Sequence, residues 1–384
     1  EDVNTALQQA AYHYQEIQPM YPLHTLDRVL DAWIYGMDPL TFLRLGEHLE
    51  GCRQRYLDDP KLFERLIRKR ILSNTHQLSI CLRPDPEMQT RTDTAFSERM
   101  RALRASLTDA DTQRIAKEAA ALQQSNSQPN SPEAVDRLPQ LVVRDLPEKI
   151  VHIDTAVHDV GGVNLLRNNL FTNGVNYLVL SFNLVGLPTE LWPFVPRYTT
   201  ALRKLGTIGQ TYVTIARRTA ATTGGISASA GIGQHAEAPE HPVWRLTVRL
   251  KALDNQMESA LELLREVLFE LNPGDRERLR EILIQTRSRL RTQLVHQGLE
   301  TAQTYAARGM CQNGFLHDLM SGLPQLDQCE EVTSAFTLHA DPLIRKIESI
   351  RDFLLNRERL AVSFAGSDAS FNLTSKAVTS WIRS

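Results

Sequence analysis

The chain has 384 residues, enough for two domains or for one domain with a large helical attachment. Its hydrophobic share of 42% and charged share of 23% are those of an ordinary globular protein, and 43 Lys+Arg against 45 Asp+Glu leave a formal charge of −2. This near-balance excludes a global field that would draw in nucleic acid or an anionic membrane, and no apolar stretch approaches the roughly 18–20 residues needed to span a bilayer.

The N-terminus, EDVNTALQQA, is acidic and reads as helix, with no basic leader region and no initiator Met. A start inside a helix suggests a piece of a longer polypeptide. Residues 3–72 carry apolar positions at helical spacing in LHTLDRVLDAWIYG and LTFLRLGEHLEGC. Asp38-Pro39 restarts a helix with Asp at the N-cap and Pro at N1, and Asp59-Pro60 repeats the device. HQLSICLRPD (76–85) alternates apolar and polar residues at period two and predicts a strand. From 87 to 124 the composition turns polar and rich in Arg and Ala, with SLTDAD (106–111) supplying a turn and a fresh N-cap, which predicts a helical hairpin. QQSNSQPNSPE (123–133) is a low-complexity loop and the clearest breakpoint.

Beyond it the pattern changes. KIVHIDTAVHD (149–159), VNLLRNNL (163–170), VNYLVLSFNLVG (175–186), ISASAGIG (226–233), WRLTVRLKAL (244–253) and LAVSFAGS (360–367) read as strands. Helices are expected at 189–205, 209–221, 255–271, 275–308, 313–326, 341–355 and 369–382. Clustered strands with intervening and trailing helices mean an α+β fold: an antiparallel-rich sheet with helices packed on one face, preceded by a helical segment and a helical hairpin. Cys52, Cys81, Cys311 and Cys329 are scattered with no CxxC pair, which fits structural thiols in a reducing compartment rather than a disulfide or metal set.

The stretch TTGGISASAGIG (222–233) poses the functional question. A phosphate-binding P-loop needs a Lys after its glycines, and none follows; a dinucleotide fingerprint needs strand, glycines, then helix, and here the order is reversed. The local physics predicts a helix C-cap at Gly224 and then a strand kept small where something packs closely on it. His235, Glu237, Glu240 and His241 cluster in sequence, and in EAPEH (237–241) the Glu-His pair sits where an inverted zinc motif, H-x-x-E-H, would end, but position 237 is Glu and Pro239 breaks any helix, so a solvated loop is the better reading. HYQEI (13–17) fails as well, because position 17 is Ile. The arginines of DRERLREILIQTRSRLRTQL (275–294) lie on several faces among Asp275, Glu277 and Glu281, as in a solvated helix with i,i+4 pairs rather than a nucleic-acid binder. No G-x-S-x-G elbow or activated Cys is evident.

Several blocks taken together resemble a known family. LFTNGVNYLVLSFNL (170–184), LPTELWPFVPRYTTALRKLGT (187–207) and TTGGISAS (222–229) are similar to the third domain of presequence proteases, the long single-chain branch of the insulinase (pitrilysin-like, inverzincin) zinc metallopeptidases. AWIYGMDPL (32–40) resembles the end of that family's second domain. The resemblance implies 1–86 as the end of a preceding α+β domain, 87–134 as the hairpin linker and loop, and 135–384 as a catalytically degenerate metallopeptidase-like domain. It also implies a zinc site upstream of Glu1 in a longer polypeptide, no zinc in this chain, and as partners the other domains and unfolded peptides, with neither nucleic acid nor membrane. The scattered thiols and the absence of a targeting segment point to a bacterial cytoplasm or an organelle matrix. In that family's active domain the zinc helix is followed by a Gly-Thr turn, a second helix and a Gly-Gly entry into the peptide-pairing edge strand. Here Gly206-Thr207 and Gly224-Gly225 keep the interval, and counting back places the zinc-motif positions at Arg197, Thr200 and Ala201. The expected peptide-facing strand is Gly225, Ile226, Ser227, Ala228 and Ser229. A scaffold or assembly subunit built from degenerate domains of the same type is the alternative.

Overall fold

The computed structural model describes residues 2–149 and 152–383, and its contacts divide the chain into two compact units, 1–62 with 152–384 and 63–151. These units do not follow the expected boundaries at 86/87 and 134/135. The first helices group with the sheet, far away in sequence, because their buried face is Tyr12 against Val175 and Leu253.

The first unit opens with α1 (Asp2–Gln15) and α2 (Tyr21–Trp33), a 3-10 turn (Pro39–Arg44) and α3 (Leu45–Asp58). As expected, Asp38 caps the 3-10 turn by accepting from the Leu40 N–H at 3.0 Å, and Asp59 accepts from the Lys61 N–H at 3.1 Å.

The second unit contains α4 (Leu62–Ile67, from Phe63 on), a π turn (Arg68–Leu72), and then the hairpin of α5 (Met88–Ser106) and α6 (Asp109–Ser127), followed by the short α7 (Pro132–Val135). A complete capping box starts α6: the Thr108 hydroxyl accepts from the Asp111 N–H, and the Asp111 carboxylate accepts from the Thr108 N–H. The low-complexity loop is shorter than its composition suggests, because residues 123–127 form the last, solvent-exposed turn of α6. The strand expected at 76–85 is absent. Leu78, Ile80 and Leu82 are 83%, 72% and 91% exposed, and period-two alternation makes a strand only when a neighbouring strand takes the backbone hydrogen bonds.

The sheet belongs to the first unit. Its strands are β1 (Thr155–Val160), β2 (Val163–Asn168), β3 (Val175–Asn183), β4 (Gly225–Gln234), β5 (Pro242–Leu253) and β6 (Leu360–Ala365), in the order β1-β2-β6-β3-β5-β4. Only the β2–β6 pairing is parallel; the other four are antiparallel. The α+β, antiparallel-rich reading therefore holds, and all six expected strands form. The first reading began at 149, and residues 150 and 151 of it lie outside the described residues.

The helices of this unit are α8 (Val195–Lys204), entered through a 3-10 turn (Thr189–Phe194), α9 (Tyr212–Thr222), α10 (Met257–Phe269), α11 (Arg276–His296), α12 (Gly298–Ala307), α13 (Gln312–Ser321), α14 (Leu323–Ser334), α15 (Phe336–Leu354) and α16 (Asp368–Arg383). Two expected helices are each split in two, at Gln297 and at Gly322. The core lies between these helices and one face of the sheet: Leu178, Leu180, Leu246, Val248, Leu250, Val362 and Phe364 are all buried at 1% exposure or less. Along each strand these positions alternate with residues of the opposite face. That second face is open except at one end, where α1 covers it with Tyr12 and with Glu16 just beyond, the latter bonded to Lys251 at 2.7 Å.

Candidate functional site

The glycine-rich stretch runs into an edge strand, β4, with a helix pair leading into it. Trp192 of the 3-10 turn is 2% exposed and meets Trp244 of β5 edge to face at 5.5 Å between ring centroids. Its indole N–H donates to the Leu187 carbonyl at 3.3 Å, while that of Trp244 donates to the Asn313 side chain at 2.8 Å. These two rings set α8 on the covered face of the sheet, where it packs along β4.

The turn after α8 is tight. A Cβ on Gly206 would run into the Gln210 carbonyl, which itself accepts from the Thr207 N–H at 3.1 Å. The Ile208 N–H donates to the Glu270 carbonyl and the Asn272 N–H to the Gly206 carbonyl, so the turn is pinned to the end of α10. Thr211 then caps α9 by accepting from the Thr214 N–H. The Arg218 guanidinium forks onto Glu266 of α10, at 2.5 and 2.9 Å, and this pairing holds the Glu266 carboxyl below the usual carboxylate range.

Gly224 is not the left-handed cap that was expected. Helix α9 ends at Thr222 with Thr223 extended, and it is Gly225 that has a positive φ, 128°. Gly224 is needed for a different reason: a Cβ there would lie 2.8 Å from the Tyr12 ring and 3.2 Å from the Lys251 Cβ. The close neighbour is therefore α1, but it meets Gly224 before the strand begins; on the open face of β4 itself Ser227, Ser229 and Gly231 are exposed, so the close packing expected along that face is not found among the described residues. The Tyr12 hydroxyl also accepts from the Leu253 N–H at 2.8 Å, and burial pushes its pKa up against that bond.

At the three positions expected from the spacing to correspond to a zinc motif, the side chains do other work. Arg197 is 6% exposed, and its Nη2 donates to the Gln325 carbonyl at 3.1 Å and to Cys329 Sγ at 2.8 Å. Gln325 in turn donates to the Pro193 and Leu319 carbonyls, at 2.8 and 2.6 Å. Arg197 thus ties α8 to α14. Burial pulls its guanidinium pKa down, and burial likewise pushes the Cys329 thiol up against the pull of Arg197. Thr200 donates back to the Pro196 carbonyl at 2.7 Å, and Ala201 is 2% exposed. These residues do not fit zinc: a guanidinium is a permanent cation, an alanine has no donor, and the threonine hydroxyl is turned onto its own helix.

The remaining candidates are kept apart from this constellation. His235, Glu237, Glu240 and His241 sit in the exposed 235–241 turn between β4 and β5, where the His235 N–H donates to the His241 carbonyl at 3.0 Å. Among the described residues no three His, Cys, Asp or Glu side chains gather as a metal would require. The arginines of α11 pair mostly with other helices rather than at i,i+4: Arg276 with Asp341 at 2.5 Å, Arg291 with Glu330 at 2.7 Å, and Arg287 with the Thr333 hydroxyl at 2.9 Å. Arg278 pairs with Glu281 at i,i+3 and lies 3.9 Å over the Tyr212 ring. None of the four cysteines is in a disulfide. No helix among the described residues is long and apolar enough to cross a membrane.

Strand β4 itself ends the sheet. Residues Gly225, Ser227, Ser229, Gly231 and Gly233 point to the open face, and Ile226, Ala228, Ala230 and Ile232 to the core side. The expected peptide-facing residues therefore belong to one edge but to two faces. A cleft of about 290 Å³ opens beside its first residues, lined by Leu202, Arg203, Tyr212, Ala216, Ala220 and Ile226. The side chain of Gln9 of α1 donates across its end to the Ala220 and Thr223 carbonyls.

Comparison with known proteins finds relatives over most of the chain. The chain is 27% identical over 355 residues to "Presequence protease 1, chloroplastic/mitochondrial" of Arabidopsis thaliana, covering 92% of this chain and 33% of that protein. It is 23% identical over 346 residues to "Protein HypA" of Clostridium perfringens (90% and 35%), and 24% over 353 residues to "Presequence protease, mitochondrial" of Schizosaccharomyces pombe (92% and 35%). It thus spans about a third of the length of these relatives. Among solved structures, a peptidase M16 inactive domain from Pseudomonas fluorescens superposes with a TM-score of 0.39 at 14% identity, over 60% of this chain and 50% of that one. The family profile described as associated with the M16 peptidases of subfamily C matches residues 82–332, from before the hairpin to α14, and the chain belongs to that family.

Proposed function

We propose that this chain is a non-catalytic region of a zinc metalloendopeptidase that degrades unfolded peptides. In this reading the sheet of the first unit forms part of the wall of a peptide chamber, and the α5–α6 hairpin is the joint on which the chamber closes. One observation carries it. The order helix, Gly-Thr turn, helix, Gly-Gly, edge strand is intact, while the positions of the zinc motif hold Arg197, Thr200 and Ala201. Such a helix is a copy of a catalytic one that kept its packing and lost its donors. Arg197 in particular is committed to α14, so its charge braces the fold where a ligand would stand.

Zinc, in this reading, belongs to another domain of a longer polypeptide, where it would activate water for peptide hydrolysis. The partners are those other domains and unfolded peptides. The relatives named as mitochondrial or chloroplastic support an organelle matrix, and a bacterial cytoplasm is the alternative compartment.

The purified chain supplied with zinc should show neither stoichiometric metal by elemental analysis nor turnover of a quenched fluorescent peptide. Turnover that survives removal of contaminating peptidase would refute the non-catalytic assignment. The gene distinguishes this reading from a pure scaffold: an H-x-x-E-H motif within the few hundred codons upstream supports the peptidase, and its absence supports an assembly subunit.

A further inference from the structure

The open face at the β4 edge has a chemistry of its own. β4 pairs with β5 along Gly225–Gln234, and among the described residues no strand pairs with its other edge. Alternate N–H and C=O groups along that edge are free to receive an extended peptide. The side chains on the open face of β4 are almost nothing: Ser227, Ser229, Gly231 and Gly233, with a Cβ on Gly231 meeting no atom within 4 Å.

The next strand supplies charge. On the same face β5 carries Arg245, Thr247, Arg249 and Lys251, opposite Gly231, Ser229, Ser227 and Gly225. Lys251 is neutralised by Glu16, and Tyr12 closes that end of the trough. Arg245 and Arg249 are exposed and have no carboxylate partner among the described residues. Arg249 already leans across β4, where its Nη1 donates to the Ser229 hydroxyl at 2.8 Å. The carboxylates of Glu237 and Glu240, in the turn beyond Gly233, bound the positive stretch at its other end.

Reach decides what these arginines can touch. A strand added to the free edge lies about 9.6 Å from β5, two strand spacings away. An arginine crosses much of that distance over serine and glycine, and an acidic side chain closes the rest; bulky residues on β4 would block it. Arg245 and Arg249 are four residues apart on one face, about 13 Å along the strand, which matches positions i and i+4 of an extended peptide.

We propose that the free edge of β4 selects extended peptide segments that carry acidic side chains four residues apart on one face, with Arg245 and Arg249 reaching over β4 to meet them. The proposal rests on the reading of β4 as peptide-facing. It is tested with the full chain and three dye-labelled peptides of one alternating Thr/Val sequence: one with Glu at i and i+4, one with Gln at both, and the Glu peptide N-methylated at alternate residues. In fluorescence anisotropy at low salt the Glu peptide should bind roughly tenfold more tightly than the Gln peptide, the scale of two exposed ion pairs. R245Q with R249Q should erase that ratio while leaving the Gln peptide's affinity unchanged. Equal binding of the Glu and Gln peptides overturns the acidic preference and leaves the edge reading standing. Equal binding of the Glu peptide and its N-methylated form overturns strand addition, leaving only charge attraction. No binding by any peptide overturns both.

Discussion

Two buried polar side chains show how this domain uses its interior charges. Arg197, at a position that the spacing assigns to a metal ligand in the proposed reading, hydrogen-bonds a carbonyl and a thiol. Arg197→Ala should cost about 2–4 kcal/mol in urea unfolding, from the cavity and from acceptors on α14 left unmet. Arg197→Met, of similar volume and without a charge to desolvate, should lose less than half as much. Equal losses would show that the hydrogen bonds rather than the volume carry the effect. Asp318 is the opposite case: it is 2% exposed, its Oδ1 has no partner, and its nearest cation, Arg308, is 3.8 Å from Oδ2. Burial raises its pKa, and the charges of Arg308 and His317 offset this only in part. The sign follows from linkage. The folded state holds the proton more tightly than the unfolded one, so stability is highest below the unfolded value near 3.8 and falls as pH rises through the raised folded value, then stays level. Asp318→Asn should therefore stabilise at neutral pH by about 1 kcal/mol, and thermal melts should show the gap to wild type shrinking as pH drops towards 4. A gap that widens in acid would contradict the burial argument.

The elements that form the site were legible to different depths. The strands of the sheet could be read because period-two alternation there is backed by β-branched and aromatic residues and ended by turn residues. The same alternation at 76–85 failed, since a strand is a property of a pair and nothing in HQLSICLRPD names a partner. Gly224 was legible as a special position, but the residue that requires it, Tyr12, lies more than two hundred positions away and carries no local signal. The basic stripe of β5, by contrast, is visible in the polar phase of WRLTVRLKAL, once the strand's open face is known. The contrast among glycines makes a direct test. Gly224→Ala should destabilise by about 1–3 kcal/mol, because the added methyl meets the Tyr12 ring and the Lys251 Cβ. Gly231→Ala, within the strand that Gly224 precedes, meets nothing within 4 Å and should be neutral or slightly stabilising. Urea melts of the two variants measure the difference, and equal effects would mean that α1 does not rest on the strand.

At the scale of the whole molecule the chain divides across its own sequence order. The first unit is discontinuous, with 2–62 held to 152–383 by the buried Tyr12 cluster, the Gln9 bonds to the end of α9 and the Glu16–Lys251 pair. Limited proteolysis in the exposed segments 74–87 and 128–149 should therefore leave the N-terminal fragment bound to the C-terminal one through size-exclusion chromatography. Separation of the two at ordinary ionic strength would show that the contact is too weak to define a unit. The arginines of α11 teach the same lesson on a smaller scale, since Arg276, Arg287 and Arg291 find partners on α14 and α15 rather than one turn along.

From its residues alone this chain could be read as α+β, with its six strands, its capped hairpin, its family and its lack of a zinc motif, because each depends on periodicity, caps and spacing over tens of residues. The tertiary structure decided what those elements touch: that α1 crosses to the open face of the sheet, that Arg197 is spent on Cys329 and Gln325, and that β4 presents glycine and serine beneath two arginines without carboxylate partners. These are contacts between residues far apart in the chain, set by how the layers pack, and no local pattern encodes them.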